Sequence, residues 1–110
     1  MITLMKLGIV IYSNDAETVW NAFRLASIAV KKGDSVKVFL LGKGVECESI
    51  DTEKFDVKNQ AQSFLDAGGQ ILACTTCLKL RQQDATAVCP YNSITDLYTI
   101  IADSDKLLTF

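Results

Sequence analysis

Two cysteines spaced three apart, in Cys74-Thr75-Thr76-Cys77, are the residues of this chain best suited to do chemistry. The apolar run Gln70-Ile71-Leu72-Ala73 before them reads as a buried strand. Leu78-Lys79-Leu80-Arg81 after them reads as the body of a helix. A thiol therefore falls where a strand ends and a helix begins. Free N–H groups at a helix N-terminus stabilise an anion, and the nucleophilic form of cysteine is the thiolate. The helix dipole, with Lys79 and Arg81 nearby, is expected to lower the pKa of Cys74. Cys77, in the first turn, lies close enough for a disulfide. The competing reading is a pair of small buried hydrophobes, since free cysteine is often buried.

The remaining residues narrow the chemistry. The chain has no histidine. That excludes Cys–His and Ser–His–Asp mechanisms within it, and zinc sites with His ligands. Two CxxC pairs would signal zinc. With one pair, a zinc or iron–sulfur site needs all four thiols to converge across separate loops, so no metal and no cofactor is expected. Cys47 sits in a Gly-rich loop between Glu46 and Glu48, carboxylates that raise a thiol pKa. Cys89 precedes Pro90, the single proline, and would act as a relay or resolving thiol if its loop folded over the site; the competing reading is that Cys47 and Cys89 are both incidental to the chemistry. Gly42-Lys43-Gly44 resembles a fragment of a phosphate loop but lacks the GxxxxGK[ST] pattern. A thioredoxin-like fold fits poorly, because the motif comes after two βα units and Ala73 stands where an aromatic residue often precedes it.

The elements that must position these residues follow from the hydropathy period. Leu7-Gly8-Ile9-Val10-Ile11-Tyr12 is a near-continuous apolar run, as in a parallel strand covered on both faces. Asn14 as N-cap with Glu17 at N3 makes a capping-box-like pair, the alternative being that Asn14 and Asp15 reach the active edge. Ala16, Val19, Trp20, Phe23, Ala26, Ile28 and Val30 recur at helical spacing. Trp20, Leu25 and Ile28 widen that stripe towards core plus subunit contact, and Lys31-Lys32-Gly33 ends the helix. Ser35 to Leu41 is the second strand, and Gly42 to Cys47 a loop. Asp51 or Thr52 caps a second helix carrying Phe55, Ala61, Phe64 and Leu65, which Ala67-Gly68-Gly69 ends. Gln70 to Ala73 is the third strand, and the CxxC opens a short helix ending near Gln83. Ala87-Val88 reads as a short strand. Asn92 or Ser93 starts a fourth helix with Ile94, Leu97, Tyr98 and Ile101 on its apolar face, and Asp105 to Phe110 is the last strand.

This alternation predicts an α/β fold: three layers, with a mostly parallel β-sheet flanked by helices on both faces. Sites in such sheets lie beyond the carboxyl ends of the strands. Asn14, Cys47 and Cys74 follow the first three strands on that edge. At 110 residues and 49% hydrophobic, the chain is expected to form a single domain, residues 1–110. Its mean hydropathy of +0.22 is high for so small a domain and points to a subunit interface. A net charge of −2 argues against nucleic acid. No apolar stretch approaches the ~20 residues of a membrane span. Met1-Ile2-Thr3-Leu4-Met5-Lys6 has no basic n-region or cleavage site, so the expected compartment is the reducing cytoplasm. Four cysteines there read as thiols, metal ligands or redox groups rather than structural disulfides.

The ordered set of motifs resembles the DsrE/DsrF-like family, related to sulfur-relay subunits of the TusD type and to the YchN-like fold. The likeness spans nearly the whole chain. It is carried by the first strand with Ser13-Asn14-Asp15 and a long helix, and by Phe39-Leu40-Leu41-Gly42-Lys43-Gly44-Val45-Glu46. Ala73-Cys74-Thr75-Thr76-Cys77-Leu78-Lys79-Leu80-Arg81 and the ending Ala102-Asp103-Ser104-Asp105-Lys106-Leu107-Leu108-Thr109-Phe110 complete it. The resemblance implies a compact α/β domain that assembles into homotrimers or homohexamers. It also implies sulfur relay or intracellular sulfur oxidation, with donor and acceptor proteins as partners. In that setting Cys74 accepts sulfur as a persulfide, in the manner of a sulfurtransferase, and Cys77 matches a position that is cysteine in part of the family. Cys74 and Cys77 are the expected catalytic residues. If Cys77 attacks the inner sulfur, hydrosulfide leaves and a disulfide remains. A thiol–disulfide redox or sensor role therefore stays open, as does a non-catalytic oligomeric binding module if Cys74 is buried and unreactive.

Overall fold

The structure is a computed structural model that describes residues 4–110; Met1 to Thr3, and with them the start of the N-terminal reading, lie outside the described residues. The apolar runs pair as strands β1 (Lys6–Ile11), β2 (Ser35–Leu40), β3 (Gln70–Cys74), β4 (Tyr91–Asn92) and β5 (Lys106–Thr109). They form one sheet in the order β4-β3-β2-β1-β5, and every pairing is parallel. Register decides which residues share a face. Ile9 lies opposite Val38, and Val38 opposite Ile71. With Leu7, Ile11, Val36, Leu40 and Ala73 they make one apolar surface, packed against α1 (Ala16–Lys31) and α2 (Val57–Asp66) through Val19, Phe23, Ala61 and Phe64. The opposite surface carries Val10, Phe39 and Cys74, which pack against Leu97 and Ile100 of α4 (Ile94–Asp103). Helices thus cover both faces. The short α3 (Thr75–Leu80) follows β3 directly.

Several local expectations are corrected. Asp15, not Asn14, caps α1: its Oδ2 accepts the Thr18 N–H at 3.0 Å and the Thr18 hydroxyl at 2.8 Å. Asp56, not Asp51 or Thr52, caps α2, so Phe55 precedes the helix. Asp51 folds back to accept the Lys58 N–H at 3.0 Å. Phe55 meets Trp20 edge-on, with ring centroids 5.3 Å apart, and the Arg24 guanidinium lies 4.4 Å from the Trp20 ring centroid. Trp20 therefore finds its partners within the chain, while Leu25 and Ile28 stay exposed. Helix α3 stops at Leu80, and Gln82 takes a positive φ of 54°. Ala87-Val88 is irregular; the fourth strand forms at Tyr91–Asn92 instead. Ser93 caps α4, with Asp96 Oδ2 accepting its N–H at 2.9 Å. On α4 the core contacts are Leu97 and Ile100, whereas Ile94, Tyr98 and Ile101 face outward. The edge strand β5 is exposed along its length.

Gly42–Ser49, expected as a loop, is a 3-10 helix. Its start is pressed against the end of β1. Leu41 donates its N–H to the Ile11 carbonyl at 2.9 Å. A Cβ on Gly44 would lie 2.0 Å from that same carbonyl oxygen. Gly42 has a φ of +55° but faces open space. The two glycines therefore serve the backbone in different ways, and they predict different penalties. Gly44→Ala should cost about 3 kcal/mol, because overpacking here meets immobile backbone. Gly42→Ala should cost only about 1 kcal/mol, the left-handed backbone penalty. Urea unfolding of the two variants measures the difference.

Candidate functional site

The end of β3 is held by β4. Asn92 Oδ1 accepts the Ala73 N–H at 3.1 Å, and the Thr75 hydroxyl donates to the Asn92 carbonyl at 2.8 Å. Between these bonds Cys74 leaves the strand and becomes the N-cap of α3, its Sγ accepting the Cys77 N–H at 3.3 Å. Cys77 follows one turn later, half-buried. Its Sγ accepts the Gly42 N–H at 3.2 Å from the 3-10 segment. The Cys77 thiol is near enough to act on that of Cys74. Each sulfur thus has a backbone donor, and at Cys74 that contact favours the anion.

Burial opposes that effect at Cys74. The residue is 5% exposed and packs among Val10, Phe39 and Leu97. Desolvation, then the thiol hydrogen bond to Cys77, push its pKa up; the N–H groups of Cys77 and Thr76 pull it down and are outweighed. The lowered pKa expected from the sequence is therefore corrected. Neither Lys79 nor Arg81, the two cations expected to assist, acts on the Cys74 thiol, and Arg81 is engaged elsewhere: its Nε donates to Glu46 Oε2 at 2.8 Å, and its Nη1 to the Cys77 carbonyl at 3.1 Å. Glu46 Oε1 also accepts the Asn14 side-chain amide at 3.2 Å. Arg81 first, then Asn14, hold the Glu46 carboxyl below its usual range. Asn14 thus reaches the carboxyl edge, as one of its two sequence readings allowed, while Asp15 does the capping.

The other two cysteines form a second pair. Cys47 and Cys89 are each 1% exposed, lie in the same buried cluster, and are near enough for Cys89 to act on the Cys47 thiol. Cys89 Sγ lies 3.7 Å from the Val45 carbonyl oxygen, to which it donates. The hydrogen bond to Cys89, then burial, push the Cys47 pKa up, with a smaller contribution from Glu48. Glu46, expected to act on Cys47, faces Arg81 instead. Cys89 meets Cys47, not Cys74. Among the described residues no three His, Cys, Asp or Glu side chains come together as a metal-binding group.

The strand order changes direction between β1 and β5, the usual ligand position in open parallel sheets. The Cys74–Cys77 pair lies instead at the end of β3. Sequence reasoning missed the Gly42 donor and the Glu46–Arg81 pair. The glycine pair marked the right edge of the sheet, but a backbone donor leaves no side-chain signature. Glu46 and Arg81 are distant in sequence and meet only through the fold.

The raised thiols fix a pH dependence. A thiol whose folded pKa lies above its unfolded value of about 8.5 contributes stability below that pH and loses it as pH rises. The unfolded chain then binds fewer protons than the folded one. Urea midpoints should fall from about pH 8.5 upward, and Cys47→Ala should flatten most of that fall.

Three comparisons place this geometry among known proteins. An uncharacterized protein of Methanocaldococcus jannaschii, MJ0989, is 26% identical over 100 residues, covering 86% of this chain and 88% of that protein. The crystal structure of the Escherichia coli ychN protein superposes with a TM-score of 0.84 at 19% identity, covering 97% of this chain and 100% of that one. BT1422 of Bacteroides thetaiotaomicron, a conserved protein of unknown function, superposes with a TM-score of 0.78 at 20% identity, covering 96% and 94%. These structures share the fold of this chain. The DsrE/DsrF-like family matches residues 5–110, from just before β1 through β5. The chain therefore belongs to the DsrE/DsrF-like family.

Proposed function

We propose that this protein carries sulfane sulfur as a persulfide on Cys74, with Cys77 as the second thiol of the site. The family is generally linked to sulfur relay. The observation that carries the finer reading is the contact of two thiols at the end of β3, each with its own backbone N–H donor. The Cys74 thiolate attacks the outer sulfur of a donor persulfide, R–S–SH, giving Cys74–S–SH and releasing R–S⁻. An acceptor thiolate then attacks the outer sulfur of Cys74–S–SH, takes it as its own persulfide, and returns the Cys74 thiolate. Burial keeps Cys74 protonated at rest, so loading follows proton loss and accelerates with pH. The donor and acceptor are partner proteins, and the compartment is the reducing cytoplasm.

The thiol contact favours a second reading. Cys77 as thiolate attacks the inner sulfur of Cys74–S–SH, forms the Cys74–Cys77 disulfide and expels HS⁻. A dithiol reductant restores the pair. This is thiol–disulfide redox or sensor chemistry on the same two residues. The depth of Cys74 favours a third, a non-catalytic binding module, which unreactivity to alkylation in the native protein would support. Self-association into a homotrimer or homohexamer is proposed as well. It is supported by the exposed apolar residues Leu25, Ile28 and Leu108 around a groove of about 420 Å³, and by the outward Ile94, Tyr98 and Ile101 of α4.

Intact mass after incubation with a sulfane-sulfur donor separates these readings. Carriage predicts a gain of one sulfur, about 32 Da, that dithiothreitol removes. Cys74→Ser should abolish the gain, and Cys77→Ser should prolong its lifetime. Undiminished loading of the Cys74→Ser variant would sink the assignment. A loss of two hydrogens in place of the gain would support the redox reading.

A further inference from the structure

The Cys47–Cys89 pair is used by none of these steps. Its two residues lie far apart in sequence, yet both are in the same buried cluster, and Cys89 Sγ reaches the carbonyl of Val45, two residues before Cys47. Cys47 belongs to the 3-10 segment Gly42–Ser49. Cys89 sits at the root of the irregular stretch between α3 and β4, whose residues 84–87 are exposed. Hydrogen bonds join this stretch to the 3-10 segment: Gln83 Nε2 to the Val45 carbonyl at 3.2 Å, Cys89 Sγ to the same carbonyl at 3.7 Å, and the Thr86 hydroxyl to Glu48. Thr86 Oγ1 also accepts the Cys89 N–H at 3.0 Å.

We propose that Cys47 and Cys89 are a second redox dithiol, separate from Cys74 and Cys77, which peroxide closes to a disulfide that ties the 81–90 loop to the 3-10 segment. The argument is geometric. Val88 and Cys89 seat this stretch in the core and a few hydrogen bonds hold the rest, but it takes part in neither helix nor sheet. It can therefore open at Cys89 while β3 and α3 stay in place. Opening lets peroxide reach the thiols. One thiolate attacks a peroxide oxygen, giving a sulfenic acid and hydroxide. The second thiol then attacks the sulfenic sulfur and expels water. In sum, two thiols and one H₂O₂ give one disulfide and two waters, and two electrons pass from sulfur to peroxide. The sulfurs must approach to the ~2.05 Å of an S–S bond, a shift absorbed by the loop, which belongs to neither helix nor sheet. The raised pKa of the Cys47 thiol makes its attack slow near neutrality and faster as pH rises. The same 3-10 segment supplies the Gly42 donor to Cys77 and the Glu46 partner of Arg81, so the disulfide also stiffens the support of the first pair.

The test uses the full chain with Cys74→Ser and Cys77→Ser, which leaves Cys47 and Cys89 alone and removes persulfide carriage altogether. The protein is treated with hydrogen peroxide, denatured and alkylated. Closure predicts a mass loss of about 2 Da, no alkylatable thiols, and recovery of both with dithiothreitol. Peptide mapping should find the Cys47 and Cys89 peptides linked. The oxidised form should melt roughly 10 °C higher, because the bridge closes a long loop. Two thiols still alkylatable after treatment would overturn the proposal, as would oxygen added to either sulfur without a link. If the double variant does not fold, peptide mapping of oxidised wild-type protein reads the same pairing. A Cys47–Cys89 link there supports the proposal, and either residue linked to Cys74 or Cys77 overturns it.

Discussion

The close approach of Gly44 to the Ile11 carbonyl fixes where everything else at the carboxyl edge can go. Without a Cβ, the 3-10 segment lies flush against the end of β1. From that seat it reaches three other places. Its Gly42 N–H meets the Cys77 sulfur, its Glu46 meets Arg81 and Asn14, and its Val45 carbonyl receives Gln83 and Cys89. A segment displaced by a side chain at position 44 would withdraw all three together. These contacts are cooperative in the literal sense that they share one support.

The thiol pair shows which of two opposed effects wins. A backbone donor on the Cys74 sulfur favours charge, and removal from water disfavours it. At Cys74 the balance goes to desolvation, because the residue closes the small core between the sheet and α4. The Arg81 cation stands close in space but is paired with Glu46 and bonded to a carbonyl. Proximity of a cation in sequence therefore overstated its effect on the sulfur. A half-exposed ion pair of this kind contributes at most about 1 kcal/mol to stability. Its larger effect is on where the guanidinium points.

The sheet was readable because its strands announce themselves: Leu7 to Ile11, Val38 to Leu40 and Ile71 to Ala73 are apolar on both faces, as a covered parallel strand requires. The position of Cys74 at the end of one such run followed at once. Caps were read less well. Asn14 and Asp15 are both good caps, and the choice fell to Thr18, which offers Asp15 two donors. Asp51 and Asp56 likewise compete, and Phe55 decides by packing on Trp20 outside the helix. The stripe on α4 misled because Leu97 and Ile100 face the core while Ile94, Tyr98 and Ile101, equally apolar, do not. The pairing of Cys47 with Cys89 had no local signal, since it depends on how an irregular stretch returns to the sheet edge.

The direction of the proton shifts has one more consequence. The fold moves two carboxylates, Asp15 and Glu46, further below neutrality, and two thiols, Cys47 and Cys74, further above it. The chain has no histidine to titrate between them. Near neutrality these four groups therefore rest as two ionised carboxylates and two protonated thiols. What can still vary at the edge of this sheet under those conditions is the oxidation level of sulfur, a variable counted in electrons and not in protons.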